Sequence, residues 1–305
     1  MANTNLSNAK RAKNDEFYTQ LSDIENELKH YKQYFAGKVV YCNCDDARES
    51  NFFRFFQKKF NDYGLKKLIT TSYNENGHGS VLVYEGDTNG NGKLDDNEVK
   101  VSELKGNGDF RSEECIELLK ESDIVATNPP FSLFRDYIAT LVQYDKKFLV
   151  IGNKNAITYK EIFPLIKENK LWLGYYCPNE FRLPNGDTTK KVNGLCRWFT
   201  NLDIKKRHED LILYKKYTAE EFPKYDNYDA IEVSKTSDIP MDYDGIIGVP
   251  ITFLDKFNPS QFEIVGATES EGKGFSNGLW DEKSKDAHSL VNSKKTYKRL
   301  FIRKK

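Results

Sequence analysis

Two consecutive prolines placed directly after an apolar run constrain this chain more than any other feature. Residues 123–127 read Asp-Ile-Val-Ala-Thr and lead straight into Asn128-Pro129-Pro130-Phe131. The apolar, β-branched character of the first segment suits a strand buried on both faces. Proline brings no backbone donor and holds the residue before it extended, so the strand must end there and the chain must leave the sheet stiffly. A helical pattern over 133–143 follows. Strand, rigid polar turn and helix together form the repeating unit of an α/β protein.

The same rhythm recurs along the chain. Ile24, Leu28, Tyr31 and Phe35 fall at helical spacing, which predicts a helix over 23–34 closed by Gly37. Residues 38–42 and 65–72 read as buried strands. Between them Ser50 is placed to cap a helix whose core face is Phe52, Phe53, Phe56 and Phe60. Residues 81–84 and 99–101 form hairpin strands around a long polar turn. Helices are expected over 113–120 and 159–169, strands over 147–152 and 195–200, and an extended piece over 171–174. This order predicts a mostly parallel sheet with an antiparallel finish. The segments after Cys42, Ser72, Thr127 and Gly152 should converge on its carboxyl rim, where such sheets bind ligands. Beyond residue 203 the pattern turns irregular. We therefore expect a catalytic domain over 14–202 and a smaller region over 203–305.

Lys+Arg and Asp+Glu both number 46, so the net charge is zero and a uniformly basic surface is excluded. Residues 283–305 nevertheless hold nine Lys or Arg against one acid, Asp286. That stretch is either a local surface for nucleic acid or a solvated, frayed terminus. Five cysteines, an odd number, read as free thiols rather than a disulfide framework. No stretch approaches the roughly 18 apolar residues that span a bilayer, so a cytoplasmic protein with no membrane partner is expected. The four histidines show no ligand spacing.

The turn at 128–131 carries the chemistry. It presents the Asn128 amide oxygen and the Pro129 carbonyl as a fixed pair of acceptors. An amine conjugated to an aromatic ring, such as adenine N6, offers two hydrogens to such a pair. Binding both favours rehybridisation and aims the nitrogen lone pair at an electrophile. Phe131 can stack on the base, a contact of about 1–3 kcal/mol. Within duplex DNA the base would first have to flip out of the helix.

A tetrapeptide of this kind after a strand resembles the catalytic motif of amino-methyltransferases. Further segments resemble one group, the EcoRI-type adenine-specific DNA methyltransferases. They are residues 14–20 (NDEFYTQ), 108–112 (GDFRS), 128–134 (NPPFSLF) and 248–254 (GVPITFL). The resemblance implies a Rossmann-like fold that uses S-adenosyl-L-methionine, with a smaller C-terminal DNA-recognition region. It implies catalytic roles for Asn128, Pro129, Pro130 and Phe131. It places Phe17, Tyr18 and Thr19 near the methionine part of the cofactor. Cys42, Asn43, Asp45 and Asp46 stand where the family has its first cofactor loop, although the usual glycines are missing. Ser72 stands at the second loop, and Asp109 and Phe110 at the cofactor adenine; Asn128 also borders the cofactor. Double-stranded DNA is the implied substrate, and a cognate restriction nuclease is a candidate partner. An RNA adenine, a protein glutamine, or a catalytically silent nucleic-acid-binding module are the alternatives.

Residues 87–98 (DTNGNGKLDDNE) also fit the twelve-residue calcium-loop pattern. Asp87, Asn89, Asn91, Asp95 and Glu98 supply oxygens at positions 1, 3, 5, 9 and 12, with Gly92 at position 6. A polar hairpin turn is the alternative reading.

Overall fold

The computed structural model describes residues 18–44, 49–91, 96–182, 188, 194–269 and 274–305. Phe17, Asp45, Asp46, Gly92 and Asp95 lie outside the described residues. In chain order the strands begin with β1 (Tyr18–Thr19), β2 (Val39–Cys42), β3 (Lys67–Ser72), β4 (Ser80–Tyr84) and β5 (Lys100–Glu103). They continue with β6 (Ile124–Thr127), β7 (Lys147–Asn153), β8 (Trp172–Leu173), β9 (Phe181–Arg182) and β10 (Cys196–Thr200). The last are β11 (Ile231–Glu232), β12 (Ile247–Pro250), β13 (Phe262–Ala267), β14 (Leu290–Val291), β15 (Lys294–Lys295) and β16 (Arg299–Lys304). The α-helices are α1 (Leu21–Leu28), α2 (Asn51–Lys58), α3 (Phe60–Tyr63), α4 (Glu113–Glu121), α5 (Phe134–Gln143) and α6 (Phe163–Lys167). The chain divides into two compact units, residues 1–156 with 174–202 and residues 157–173 with 203–305.

In the first unit the central sheet runs β5-β4-β3-β2-β6-β7-β10. Its middle strands β3, β2, β6 and β7 are parallel, while β4, β5 and β10 join antiparallel. The sheet is therefore mixed rather than mostly parallel. Because the four middle strands share a direction, the segments after Cys42, Ser72, Thr127 and Asn153 leave from one rim, as expected. Ser50 caps α2 by accepting from the Phe52 N–H. This helix buries Phe52, Phe53, Phe55 and Phe56. Each such ring contributes about 1.5–3 kcal/mol by burial. Phe55, which the periodicity left out, packs against Phe56 and Tyr63. Phe60 falls in the separate helix α3.

Two helices are shorter than expected. After Leu28 the first gives way to tight turns, with Tyr31 N–H on the Leu28 carbonyl at 3.0 Å. Its inner face also carries a carboxylate. Glu27 is fully buried, accepting from the Tyr31 hydroxyl at 2.6 Å and from the Tyr175 and Tyr176 backbone N–H groups at 2.9 and 2.6 Å. The helix expected over 159–169 is α-helical only at Phe163–Lys167, because Pro164 sits in its first turn and has no N–H to donate backwards.

The second unit is more regular than its sequence suggests. Its sheet runs β11-β12-β16-β13, with β11 and β12 parallel and the other pairs antiparallel. Leu300, Phe301 and Ile302 of β16 are fully buried, so the basic C-terminal stretch is not a frayed end. Arg299 forms a buried ion pair with Glu232 at 2.6 Å, and Tyr225 donates to the same carboxylate. An added Cβ at Gly248 would lie 2.4 Å from the Tyr225 hydroxyl, which explains the glycine in that motif. Of the remaining cations in this stretch, Lys295 pairs with Asp286 at 3.0 Å and Lys305 donates to the Pro259 carbonyl. Lys294 stays exposed on the β14–β15 hairpin, and Tyr297 just beyond it is 89% exposed. No helix of the described residues is long and apolar enough to cross a membrane.

Candidate active site

The rim of the first unit is built around the end of β6. Asn128 is 8% exposed and follows the fully buried Thr127. Pro129 is buried, and Pro130 leads extended into a short 3-10 turn at Phe131–Leu133 that runs on into α5. Phe131 keeps a partly exposed ring. The turn is held from behind. Leu133 N–H donates to the Pro130 carbonyl at 3.0 Å. Phe134 packs on Phe199 of β10 with centroids 5.1 Å apart. Space for Phe134 exists because residue 152 is glycine: an added Cβ there would fall 2.4 Å from the ring.

A chain of contacts ties this turn to the expected cofactor loops. Thr127 donates its hydroxyl to the Asn43 carbonyl, and Tyr137 of α5 donates to Asn43 Oδ1. Burial pushes the Tyr137 phenol well above its ordinary value, so it stays protonated and acts as the donor. Phe110 meets the Tyr137 ring edge-on at 5.0 Å. The side chain of Asn43 is thus occupied in fixing the end of β2 against β6 and α5. Cys44 then takes a left-handed backbone angle, φ 64°. It supplies in this loop the conformation for which glycine is the usual choice.

The loop at 106–109 closes onto the end of β3. Asn74 N–H donates to the Asn107 carbonyl at 2.8 Å, and Gly79 N–H to the Gly106 carbonyl at 2.9 Å. Gly108 has φ 84°, and an added Cβ would lie 2.2 Å from the Ser72 carbonyl oxygen. Only glycine allows that approach. Asp109 lies beside Arg111, whose guanidinium holds its carboxyl below the usual carboxylate range. Phe110 is buried, whereas the Ser72 hydroxyl pairs with Ser80 at 2.5 Å and Tyr73 is half exposed.

The N-terminal segment reaches the same rim by another route. Tyr18 and Thr19 pair with Arg182 and Phe181. The Asn51 side chain, at the start of α2, donates to the Thr19 carbonyl at 2.7 Å. Thr19 is buried, and its hydroxyl has no hydrogen-bond partner among the described residues. Buried hydroxyls are ordinarily bonded, so this one is suited to a ligand. Cys42 is different: it is a buried strand residue whose carbonyl accepts from Thr70 at 2.6 Å. The roles of Tyr137, Gly108 and Gly152 were not legible in the sequence. The helical spacing of Phe134, Tyr137, Ile138 and Leu141 marks the first as core-facing, but nothing local announces its hydroxyl.

The first unit thus presents an Asn-Pro-Pro-Phe turn on the rim of its parallel strands and, in β1, a buried threonine whose hydroxyl has no partner among the described residues. The chain belongs to the family described as adenine-specific methyltransferase EcoRI, whose model matches residues 5–305. It is therefore an adenine-specific methyltransferase. It is 49% identical to Type II methyltransferase M.EcoRI of Escherichia coli, over 98% of this chain and 96% of that one. It is 41% identical to Type II methyltransferase M.MgeORF184P of Mycoplasma genitalium, over 97% of each chain. With Type II methyltransferase M.MpnI of Mycoplasma pneumoniae the identity is 44%, over 84% of this chain and 83% of the relative. No solved structure matches the chain significantly.

Proposed function

We propose that this protein methylates adenine N6 in double-stranded DNA, with a Rossmann-like catalytic unit and a target-reading second unit. The observation that carries the reading is the Asn128–Phe131 turn, pinned to β2 and α5 through Thr127, Asn43 and Tyr137. The cofactor that fits is S-adenosyl-L-methionine, and the Thr19 hydroxyl is the buried donor suited to its carboxylate. When bound, it supplies an electrophilic methyl group on a sulfonium sulfur. Asp109 and Phe110 would hold its adenine, with Asn43 and Cys44 shaping the loop beneath.

Asn128 Oδ1 and the Pro129 carbonyl accept the two hydrogens of the target amine. That draws the nitrogen lone pair out of conjugation and directs it at the methyl carbon. Phe131 stacks on the flipped base. No strong base is needed, because the nitrogen becomes acidic only after it carries the methyl group, and its proton then passes to water. Such pre-set acceptors act because they need no reorganisation during reaction. The second unit is the candidate reader of the DNA sequence, through Lys294, Tyr297 and neighbouring side chains. Pairing with a restriction nuclease that cuts the same site completes this reading.

Asn128→Ala tests the assignment. Methyl transfer from labelled cofactor to duplex oligonucleotides should fall by about a thousandfold, as for loss of a transition-state contact. Calorimetric cofactor binding should stay within severalfold. Equal loss of both would refute the role. Parallel assays on RNA and on glutamine-bearing protein separate the substrate classes.

A further inference from the structure

The hairpin between β4 and β5 carries a polar loop to which the proposed methyl transfer assigns no role. The strands pair antiparallel, with Val83 opposite Lys100, and close a loop of which residues 85–91 and 96–99 are described. Asp87 Oδ1 and Asn89 Oδ1 both turn to the Asn91 N–H, at 3.1 and 3.0 Å. From the other end Glu98 reaches into the loop. Its Oε1 accepts from the Thr88 N–H at 2.6 Å and the Asn89 N–H at 3.1 Å. The other oxygen is the unusual one. Glu98 is 8% exposed, and its Oε2 is buried with no hydrogen-bond partner among the described residues. The neighbouring cation, Lys100, is engaged with Glu85 at 2.6 Å.

A buried carboxylate oxygen without a partner is costly, and a bound cation is one of the few groups that relieves it. We infer that this loop binds a divalent cation through Asp87, Asn89, Asn91 and Glu98, with calcium favoured. The donors are all oxygens, carboxylate and amide mixed, at positions 1, 3, 5 and 12 of one loop. Calcium accepts such flexible, many-membered oxygen sets, whereas magnesium demands a tighter octahedron. Asp95 at the ninth position lies outside the described residues. No cluster of three His, Cys, Asp or Glu is present among the described residues, so the site rests on two carboxylates plus amides. That composition sets a modest affinity, with Kd about 0.1–1 mM. The flanks are strands rather than helices, so the ion clasps the hairpin and moves no helix. Gly79, just before β4, bonds the Gly106 carbonyl, so a firmer hairpin also steadies the start of the 106–109 loop.

The test uses the full chain, stripped with a chelator and then titrated with calcium or magnesium chloride by calorimetry, with thermal melts alongside. Saturable calcium binding at one site per chain is expected, raising the Tm, with magnesium at least about tenfold weaker. Glu98→Gln keeps an acceptor for the Thr88 and Asn89 N–H groups but removes the charge. It should weaken calcium binding by about tenfold or more. Asp87→Asn, which keeps its turn-forming acceptor, should do the same and serves if the first variant folds poorly. Absence of saturable binding up to about 10 mM calcium would overturn the inference. So would equal affinity in the wild type and both variants, and magnesium binding as tight as calcium would overturn the preference.

Discussion

Replacing Gly108 by alanine should damage cofactor binding out of proportion to the size of a methyl group. Two costs add. The residue sits at φ 84°, where an L side chain is disfavoured by about 1–2 kcal/mol. The new Cβ would also lie 2.2 Å from the Ser72 carbonyl oxygen, a backbone atom that no rotamer change can move away. Relief requires the 106–109 loop to withdraw, which stretches the Asn74–Asn107 and Gly79–Gly106 backbone bonds. Each is worth about 0.5–1.5 kcal/mol, for a total of about 2–5 kcal/mol. If only 2 kcal/mol falls on the cofactor pocket proposed at Asp109 and Phe110, affinity for S-adenosyl-L-methionine drops about thirtyfold. Calorimetry reads that directly, and the KM for the cofactor should rise in step. Gly37→Ala is the control: it has φ 71° but no atom within 4 Å of the added Cβ, so it carries the backbone penalty alone. Gly108→Ala with cofactor affinity within twofold of wild type, and a Tm no lower than Gly37→Ala, would refute the reasoning.

Tyr137→Phe leaves the Asn43 amide oxygen buried without its donor, a loss of about 1–3 kcal/mol of stability in denaturant titration. Because Tyr137 is buried and bonds Asn43 behind the turn, kcat should fall more than the KM for DNA rises. Gly152→Ala drives a Cβ into the Phe134 ring and should cost about 1–3 kcal/mol by overpacking, with lower activity from a shifted Phe131; unchanged melting and turnover would contradict that packing. Burial raises the Glu232 pKa, but Arg299, Tyr225 and Ser234 outweigh it and leave the carboxyl below its ordinary value of 4.5. A lowered folded pKa gives stability that is full above the unfolded value and is lost as pH falls through the folded one. Melts between neutral pH and pH about 3 should therefore show Glu232→Gln flattening the acid side of the stability curve.

Legibility in the sequence followed the range of the interactions. The middle strands and their rim were readable because apolar runs and polar ends are local signals. The Asn128-Pro129-Pro130-Phe131 turn was readable because proline acts on its own neighbours. The antiparallel placement of β4, β5 and β10 was only half visible, since hairpin signals fix pairing between neighbours and not position in a sheet. Asn43 looked like a cofactor residue from its place after β2. Its amide oxygen also accepts from Tyr137, 94 residues away, and no local pattern encodes such a partner. The second unit was least legible. Its sheet depends on β16 lying between β12 and β13, and its short strands are separated by irregular segments with little periodicity.

The division of the chain into units has a consequence for anyone wishing to exchange the second unit between relatives. The second unit is drawn from two separate stretches, 157–173 and 203–305. Phe163 from the first stretch packs on Phe275 from the second, with ring centroids 5.2 Å apart. A cut at residue 202 therefore does not release a finished catalytic fragment. It strands Phe163 without the Phe275 ring and leaves the remainder short of one of its helices. A graft from a relative would need three junctions, after residues 156, 173 and 202, replacing both stretches together, for the transplanted unit to bring its own core with it.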